Sequence, residues 1–188
     1  MTAMASLQVI VMSNGTPPCK ELALWLSDNC PGWKYGSEDY GIDNARNQNC
    51  ERFLADDVGK SHLMMIDHDM VPVTSTSAIF TATEELVYCG YADRYGSKGH
   101  YGDGDFGAAC FKVSRDLLIT MGMPWFATRS IHSHRQNCEC NFFRVKAATF
   151  GIIPRMVGVV GHQQRCILLP DPKPPGWRIA WPGDIKRI

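Results

Sequence analysis

The alternation of apolar and polar stretches divides this chain into short buried strands and amphipathic helices. Leu7 to Met12 (LQVIVM) is an apolar run but for Gln8, the pattern of a strand covered on both faces. SNGTPP then reads as a turn whose Pro17 opens a helix over about residues 18–27, with Leu22, Leu24, Trp25 and Leu26 inward. Trp33 to Tyr35 fits a short second strand. GIDNARNQNCERFLADDVG has helical spacing, with Asn44 as N-cap and Ala45, Phe53, Leu54 and Val58 on its apolar face. It leads to a second apolar run, Leu63 to Ile66, cut off by Asp67, His68 and Asp69. Strand, helix, strand, helix, strand with short connections predicts an α/β fold with a mostly parallel, Rossmann-like central sheet between two helical layers.

The second half is less regular. VTSTSAIFTATEELV predicts a helix capped by Thr74 or Ser75, with Ile79, Phe80, Leu86 and Val87 as its apolar face. YADRYGSKGHYGDGDFG, rich in glycine and tyrosine, predicts a polar loop feeding a strand at Ala108 to Val113, after which Ser114 caps a helix through Leu118. Met123 to Phe126 stops that helix. Residues 127–137 (ATRSIHSHRQN) have no periodicity and predict a surface loop. Helical spacing resumes from Glu139 to Phe150, Gly151 ends it, and IIPRMVGVV predicts a last strand stopping at Gly161 and His162. The segmentation is one domain over residues 1–163 and an extended, proline-rich tail over 164–188 that packs on or beside it.

Composition narrows the picture. A chain of 188 residues, 45% hydrophobic, suits one core. Lys+Arg and Asp+Glu both number 19, so no global field advertises nucleic acid or membrane. No apolar run approaches a bilayer span, and the N-terminus lacks a basic flank and cleavage site, which points to the cytoplasm with no membrane insertion. The 8 cysteines form no pair of CxxC knuckles, so a reducing compartment fits, with Cys138-x-Cys140 the one spacing that suggests a structural metal.

The chemistry concentrates at Asp67 and Asp69. Open α/β sheets bind ligands beyond the carboxyl ends of their strands, and here a strand ends in two carboxylates one residue apart. They repel unless a cation lies between them, and a divalent ion bridging to phosphate oxygens supplies it. The competing reading is a solvated turn capping the helix after Pro72.

Four segments, in order and at matching spacing, resemble the GT-A fold glycosyltransferases related to family 2, especially the short bacterial and phage forms. They are Ala45-Arg46-Asn47; Asp67-His68-Asp69; Gly107-Ala108-Ala109-Cys110 through Gly122-Met123-Pro124-Trp125-Phe126; and Glu139 to Gly151 followed by Gly161-His162. The resemblance implies a metal-dependent enzyme moving a hexose or pentose from a nucleotide-diphosphate sugar, with UDP-sugar expected, to a hydroxyl acceptor. It implies that Asp69 ligates Mn²⁺ or Mg²⁺, that Asp67 faces the ribose or a metal-bound water, and that His162 is a further metal ligand. Ser13, Asn14 and Arg46 would hold the nucleotide. Taken without the resemblance, His162 reads equally as a surface-turn histidine and Arg46 as a solvated helix residue.

At the catalytic base the chain departs from that family. Inverting members place Glu-Asp at the start of the helix before the last strand, with the Asp taking the acceptor's proton. Here the positions are Glu139 and Cys140, and a thiol does not replace a carboxylate in that task without a large perturbation. Glu139 is one candidate base, and Asp103 or Asp105 in GDGDFG is the other, against an ordinary glycine-rich turn.

The acceptor is open between a hydroxymethylated base in phage-type DNA, which would place the protein in a bacterium or an infected host's cytoplasm, and a glycan. Arg129, His132, His134 and Arg135 in one loop, and Lys173, Trp177, Arg178, Trp181, Lys186 and Arg187 in the tail, would meet phosphates and stack on bases. Two other classes fit the same residues: an inactive sugar-nucleotide or glycan-binding module, and a nucleotidyltransferase, although SNGTPPCK lacks the latter's glycine-rich basic signature.

Overall fold

The computed structural model describes residues 6–36, 41–56, 58–91, 100–128 and 138–163, and the backbone alone of 167–170 and 177–180. Strand β1 (Leu7–Met12) and helix α1 (Lys20–Asn29) are followed by β2 (Lys34–Tyr35), α2 (Ile42–Asp56) and β3 (His62–Asp67). The first half of the chain therefore forms the expected elements. The helix starts differ: α1 begins at Lys20, and α2 begins at Ile42 rather than after an Asn44 cap, with Asp43 Oδ1 accepting the Asn44 amide at 3.0 Å. Leu24 and Val58, expected inward, are exposed.

Then come β4 (Met70–Pro72), a 3-10 turn (Thr74–Ser77), α3 (Ala78–Thr81), β5 (Leu86–Gly90), β6 (Cys110–Ser114) and α4 (Arg115–Met121). The remaining elements are α5 (Glu139–Ala148), β7 (Arg155–Gln163), β8 (Ile167–Pro170) and β9 (Trp177–Ala180). The helix expected through Val87 is replaced after α3 by β5, whose five residues are all buried. An apolar run covered on both faces carries no period by which to tell strand from helix. Ser114 does cap α4, its side chain accepting the Leu117 amide at 3.1 Å.

The sheet runs in the order β2-β1-β3-β6-β5-β7-β8-β9, with β4 paired to β7. It is mixed, not mostly parallel. Strands β1–β2, β1–β3 and β5–β7 pair in parallel, whereas β3–β6, β5–β6, β4–β7, β7–β8 and β8–β9 are antiparallel. Only the opening βαβαβ unit has the connections that force parallel pairing. Nor is β7 the last strand, because the tail adds β8 and β9 to the sheet.

Strand alternation sorts the core into two layers. Leu7, Val9, Val11, Met64, Ile66, Val87 and Cys89 face α1 and α3 through Leu22, Leu26, Ile79 and Phe80. Ile10, Met12, Leu63, Met65, Leu86, Tyr88, Phe111 and Val113 face the other way, against Phe53 of α2, Leu117 and Leu118 of α4 and Phe143 of α5. The result is a single α/β domain with helices on both faces of the sheet.

This topology positions the site. From β1 the chain crosses by α1 to β2 on one side, then by α2 on the opposite face to β3 on the other side. The crevice beyond the ends of β1 and β3 is thus a topological switch point, where open α/β sheets bind ligands.

Candidate functional site

A cavity of about 380 Å³ opens at that switch point, lined by Met12, Ser13 and Asn14 after β1, by Gly41, Ile42 and Ala45 at the start of α2, and by Asp67, His68 and Asp69 after β3. Its size falls within the roughly 300–1,000 Å³ of small-molecule sites. The walls are fixed by the backbone: His68 N donates to Met12 O at 2.9 Å, Cys19 N to His68 O at 2.9 Å and Asp67 N to Ala109 O at 2.8 Å. The structure thus brings Ser13, Asn14, Asp67 and Asp69 to one pocket. Ser13 Oγ is engaged with Thr16 O, which holds the turn after β1.

Arg46 lies behind that wall rather than in it. Its guanidinium is 2% exposed, donating to Ala108 O at 2.7 Å and to Asp67 Oδ1 at 3.1 Å, with Nε 3.7 Å from Glu139 Oε1. The Phe111 and Phe126 rings flank it, their centroids 6.0 and 5.8 Å from Cζ. Burial alone would favour its neutral form, but the Asp67 and Glu139 carboxylates outweigh that and hold the proton more firmly than usual. Arg46, expected to hold the nucleotide, is not part of the cavity lining and meets it only through its contact with Asp67.

Asp67 carries the reciprocal perturbation. Burial raises its carboxyl to about 6, opposed by Arg46 and reinforced by Asp69 and Glu139. A quarter of its side chain still opens to the surface (26%), so it is enclosed by protein and reachable from the pocket.

Asp69 and His162 meet because β4 and β7 pair antiparallel with Met70 opposite His162, a register extended by Gln163 N donating to Asp69 O at 2.8 Å. His162 Nε2 sits 3.1 Å from Asp69 Oδ2, and both side chains are largely buried. Among the described residues no three His, Cys, Asp or Glu side chains converge as a metal cage. The expected set of Asp67, Asp69 and His162 is therefore present as one close pair with Asp67 beside it.

The candidate bases occupy different surroundings. Glu139 opens α5, is 12% exposed, pairs with Arg46 and accepts the Cys140 thiol at 3.4 Å. Cys140 is buried, and its sulfur also accepts the Ala108 amide at 3.4 Å. A hydrogen bond with Cys138, together with burial, pushes the Cys140 thiol well up, so it holds its proton. Asp105 is half exposed (50%), with Oδ1 3.2 Å from His100 Nδ1 and Oδ2 accepting the Tyr101 amide at 3.2 Å. Asp103 ties its loop to β7, its Oδ1 accepting Met156 N at 2.8 Å.

Two residues of the site carry no signal in the sequence. Tyr91, just beyond β5, sets its ring edge-on to His162 at 6.4 Å and 5.5 Å from that of His100. Its hydroxyl is held protonated by burial and by the nearby Cys140, Asp67 and Glu139. His100 closes a β-bridge with Tyr91. Neither stands in a motif, and only long-range pairing brings them to the site.

The basic loop residues Arg129, His132, His134 and Arg135 lie outside the described residues, as do Lys173, Trp181, Lys186 and Arg187, while Trp177 and Arg178 are described in their backbone only. Among the described residues no helix is long and apolar enough to cross a membrane.

No protein-family model matches the chain, and no curated protein matches it either. Among solved structures it is similar to A197 from STIV, with a TM-score of 0.67 and 16% identity over 89% of this chain and 91% of that one. At that identity the likeness establishes a shared fold over nearly the whole of both chains.

Proposed function

We propose that this protein is a metal-dependent glycosyltransferase that binds a nucleotide-diphosphate sugar, with a uridine nucleotide the expected donor, in the crevice between β1 and β3. The observation that carries the reading is the acidic pair Asp67 and Asp69 on the wall of a switch-point cavity, with His162 3.1 Å from Asp69. A diphosphate placed against two carboxylates needs a cation between them. The pair suits one: two ligands bound at about 2.1 Å and at right angles to each other stand roughly 3 Å apart. A carboxylate with an imidazole favours Mn²⁺ over Ca²⁺. Bound there by Asp69 and His162, with diphosphate oxygens completing the shell, Mn²⁺ or Mg²⁺ would supply Lewis-acid neutralisation of the leaving group.

The chain's own residues do the rest. The turn at Ser13 and Asn14 and the start of α2 frame the nucleotide, the helix offering its positive end to phosphate. Arg46 fixes the Asp67 carboxylate from behind and offsets the negative charge of both Asp67 and Glu139. The acceptor hydroxyl enters from the side of β5 and α5, where Glu139 and Asp105 stand as candidate proton acceptors. Cys140 at the usual base position favours one other reading, a sugar-nucleotide-binding module without turnover.

Thermal melting with Mn²⁺ and UDP, separately and together, tests the binding claim: the pair should raise Tm well above either alone, since each completes the other's site. Asp69→Ala should abolish the gain, and its full retention would refute the assignment. Release of UDP from a panel of UDP-sugars then separates enzyme from binding module, and product mass separates sugar transfer from nucleotide transfer. Transfer to duplex DNA containing hydroxymethylcytosine, compared with a glycan panel, decides the acceptor class.

A further inference from the structure

We infer that His100, held by Asp105, is the general base of this site, standing in for the carboxylate that Cys140 replaces. The inference rests on the transferase reading and names the group that takes the acceptor's proton. Asp105 Oδ1 lies 3.2 Å from His100 Nδ1 while Oδ2 accepts the Tyr101 amide, so the carboxylate is fixed on one side and free to accept Nδ1–H on the other. That bond selects the tautomer with the proton on Nδ1 and the lone pair on Nε2. The imidazole is 30% exposed, reachable by a hydroxyl from outside.

Its backbone is anchored where the site is built. Tyr91 N donates to His100 O at 3.0 Å, tying His100 to the end of β5. Both rings press on Gly107: a Cβ there would stand 2.5 Å from Tyr91 Cε1 and 2.7 Å from His100 Cγ. Only a glycine lets the rings approach the backbone this closely. The next residue, Ala108, gives its carbonyl to Arg46 and its amide to Cys140. The imidazole therefore rests against the segment that also fixes the Asp67, Arg46 and Glu139 cluster. The Tyr91 ring stands 5.5 Å from that of His100 and 6.4 Å from that of His162, the partner of Asp69. Among the described residues, the groups that face His100 are Asp105 from its own loop, Tyr91 beyond β5, and Cys138 at the cap of α5, whose thiol is lowered chiefly by Cys140 and also by His100. Glu139, by contrast, faces the Arg46 guanidinium at 3.7 Å and accepts the Cys140 thiol.

In the step itself His100 Nε2 takes the proton of the acceptor hydroxyl as its oxygen bonds to the sugar's anomeric carbon. The bond from that carbon to the diphosphate oxygen breaks, and its electron pair leaves with the nucleoside diphosphate. Attack opposite the leaving group inverts the anomeric centre. Asp105 touches no reacting atom; it positions the imidazole and stabilises the imidazolium.

The test uses the full chain with Mn²⁺ and UDP-sugars, following UDP release to water or to an added acceptor. His100→Gln should lower release at least about a hundredfold, with the Mn²⁺ plus UDP melting shift of the wild type retained as the check on fold and donor binding. His100→Ala should regain part of its rate with added imidazole, which a merely structural histidine would not show. Without any donor, ¹⁵N shifts of the His100 ring should report the Nδ1–H tautomer in the wild type and its loss in Asp105→Asn. A wild-type rate in His100→Gln would overturn the assignment and leave the transferase reading standing. A wild type inert towards every donor, with no joint effect of Mn²⁺ and UDP, would overturn both.

Discussion

Replacing Arg46 by methionine isolates the charge at the centre of this fold. The side chain is 2% exposed and meets Ala108 O, Asp67 and Glu139. Arg46→Met keeps most of the volume and removes the cation, leaving two carboxylates enclosed without their partner and one buried carbonyl without its donor. Breaking a buried ion pair from one side costs about 3–5 kcal/mol, which in a domain of this size lowers Tm by roughly 6–20 °C. The effect should depend on pH in a fixed sense. The folded Asp67 carboxyl sits at about 6 against an ordinary 3.8, so the native state takes up a proton between those values. Removing Arg46 raises that carboxyl further, so the variant's deficit is largest with Asp67 ionised, near pH 8 or above, and narrows as the pH falls to 6 and below, where the wild type also takes up the proton. Urea unfolding at several pH values measures it. A deficit under about 1 kcal/mol, or one that does not change between pH 8 and pH 6, would refute the claim that Arg46 is held in place by charge rather than by packing.

Three further outcomes follow from single contacts. Asn47 accepts the Trp125 and Phe126 amides at 2.9 and 3.0 Å and donates to Phe126 O at 2.7 Å, so Asn47→Ala strands three buried polar groups and should cost about 3 kcal/mol in urea unfolding. A Cβ on Gly158 would lie 2.2 Å from Ser75 O, so Gly158→Ala must push β7 off the 3-10 turn, and a Tm equal to wild type would contradict this close approach. Gly107→Ala should displace the Tyr91 and His100 rings, reducing UDP release more than it weakens the Mn²⁺ plus UDP melting shift.

Local structure is what the order of residues dictates. The run LQVIVM, the abrupt end of Leu63 to Ile66 in Asp67-His68-Asp69, and the serine before Arg115 each state their element through periodicity, composition or a cap. The first βαβαβ unit follows from them, because short crossovers leave parallel pairing as the sterically open route. The switch-point crevice with its two carboxylates is thereby legible in the chain itself. Long-range packing sets the remainder. Leu86 to Gly90 is buried on both faces and so has no period, and its strand identity comes from its place between β6 and β7. The antiparallel half of the sheet depends on registers between distant segments. His162 reaches Asp69 across 93 residues through the β4–β7 pairing, and Arg46 reaches Ala108 across 62. Arg46 reads in the sequence as a helix residue of either exposure. Only the tertiary placement of its side chain among Asp67, Ala108 and Glu139 buries it, because a guanidinium can leave water only where carboxylates and a carbonyl already wait for its protons.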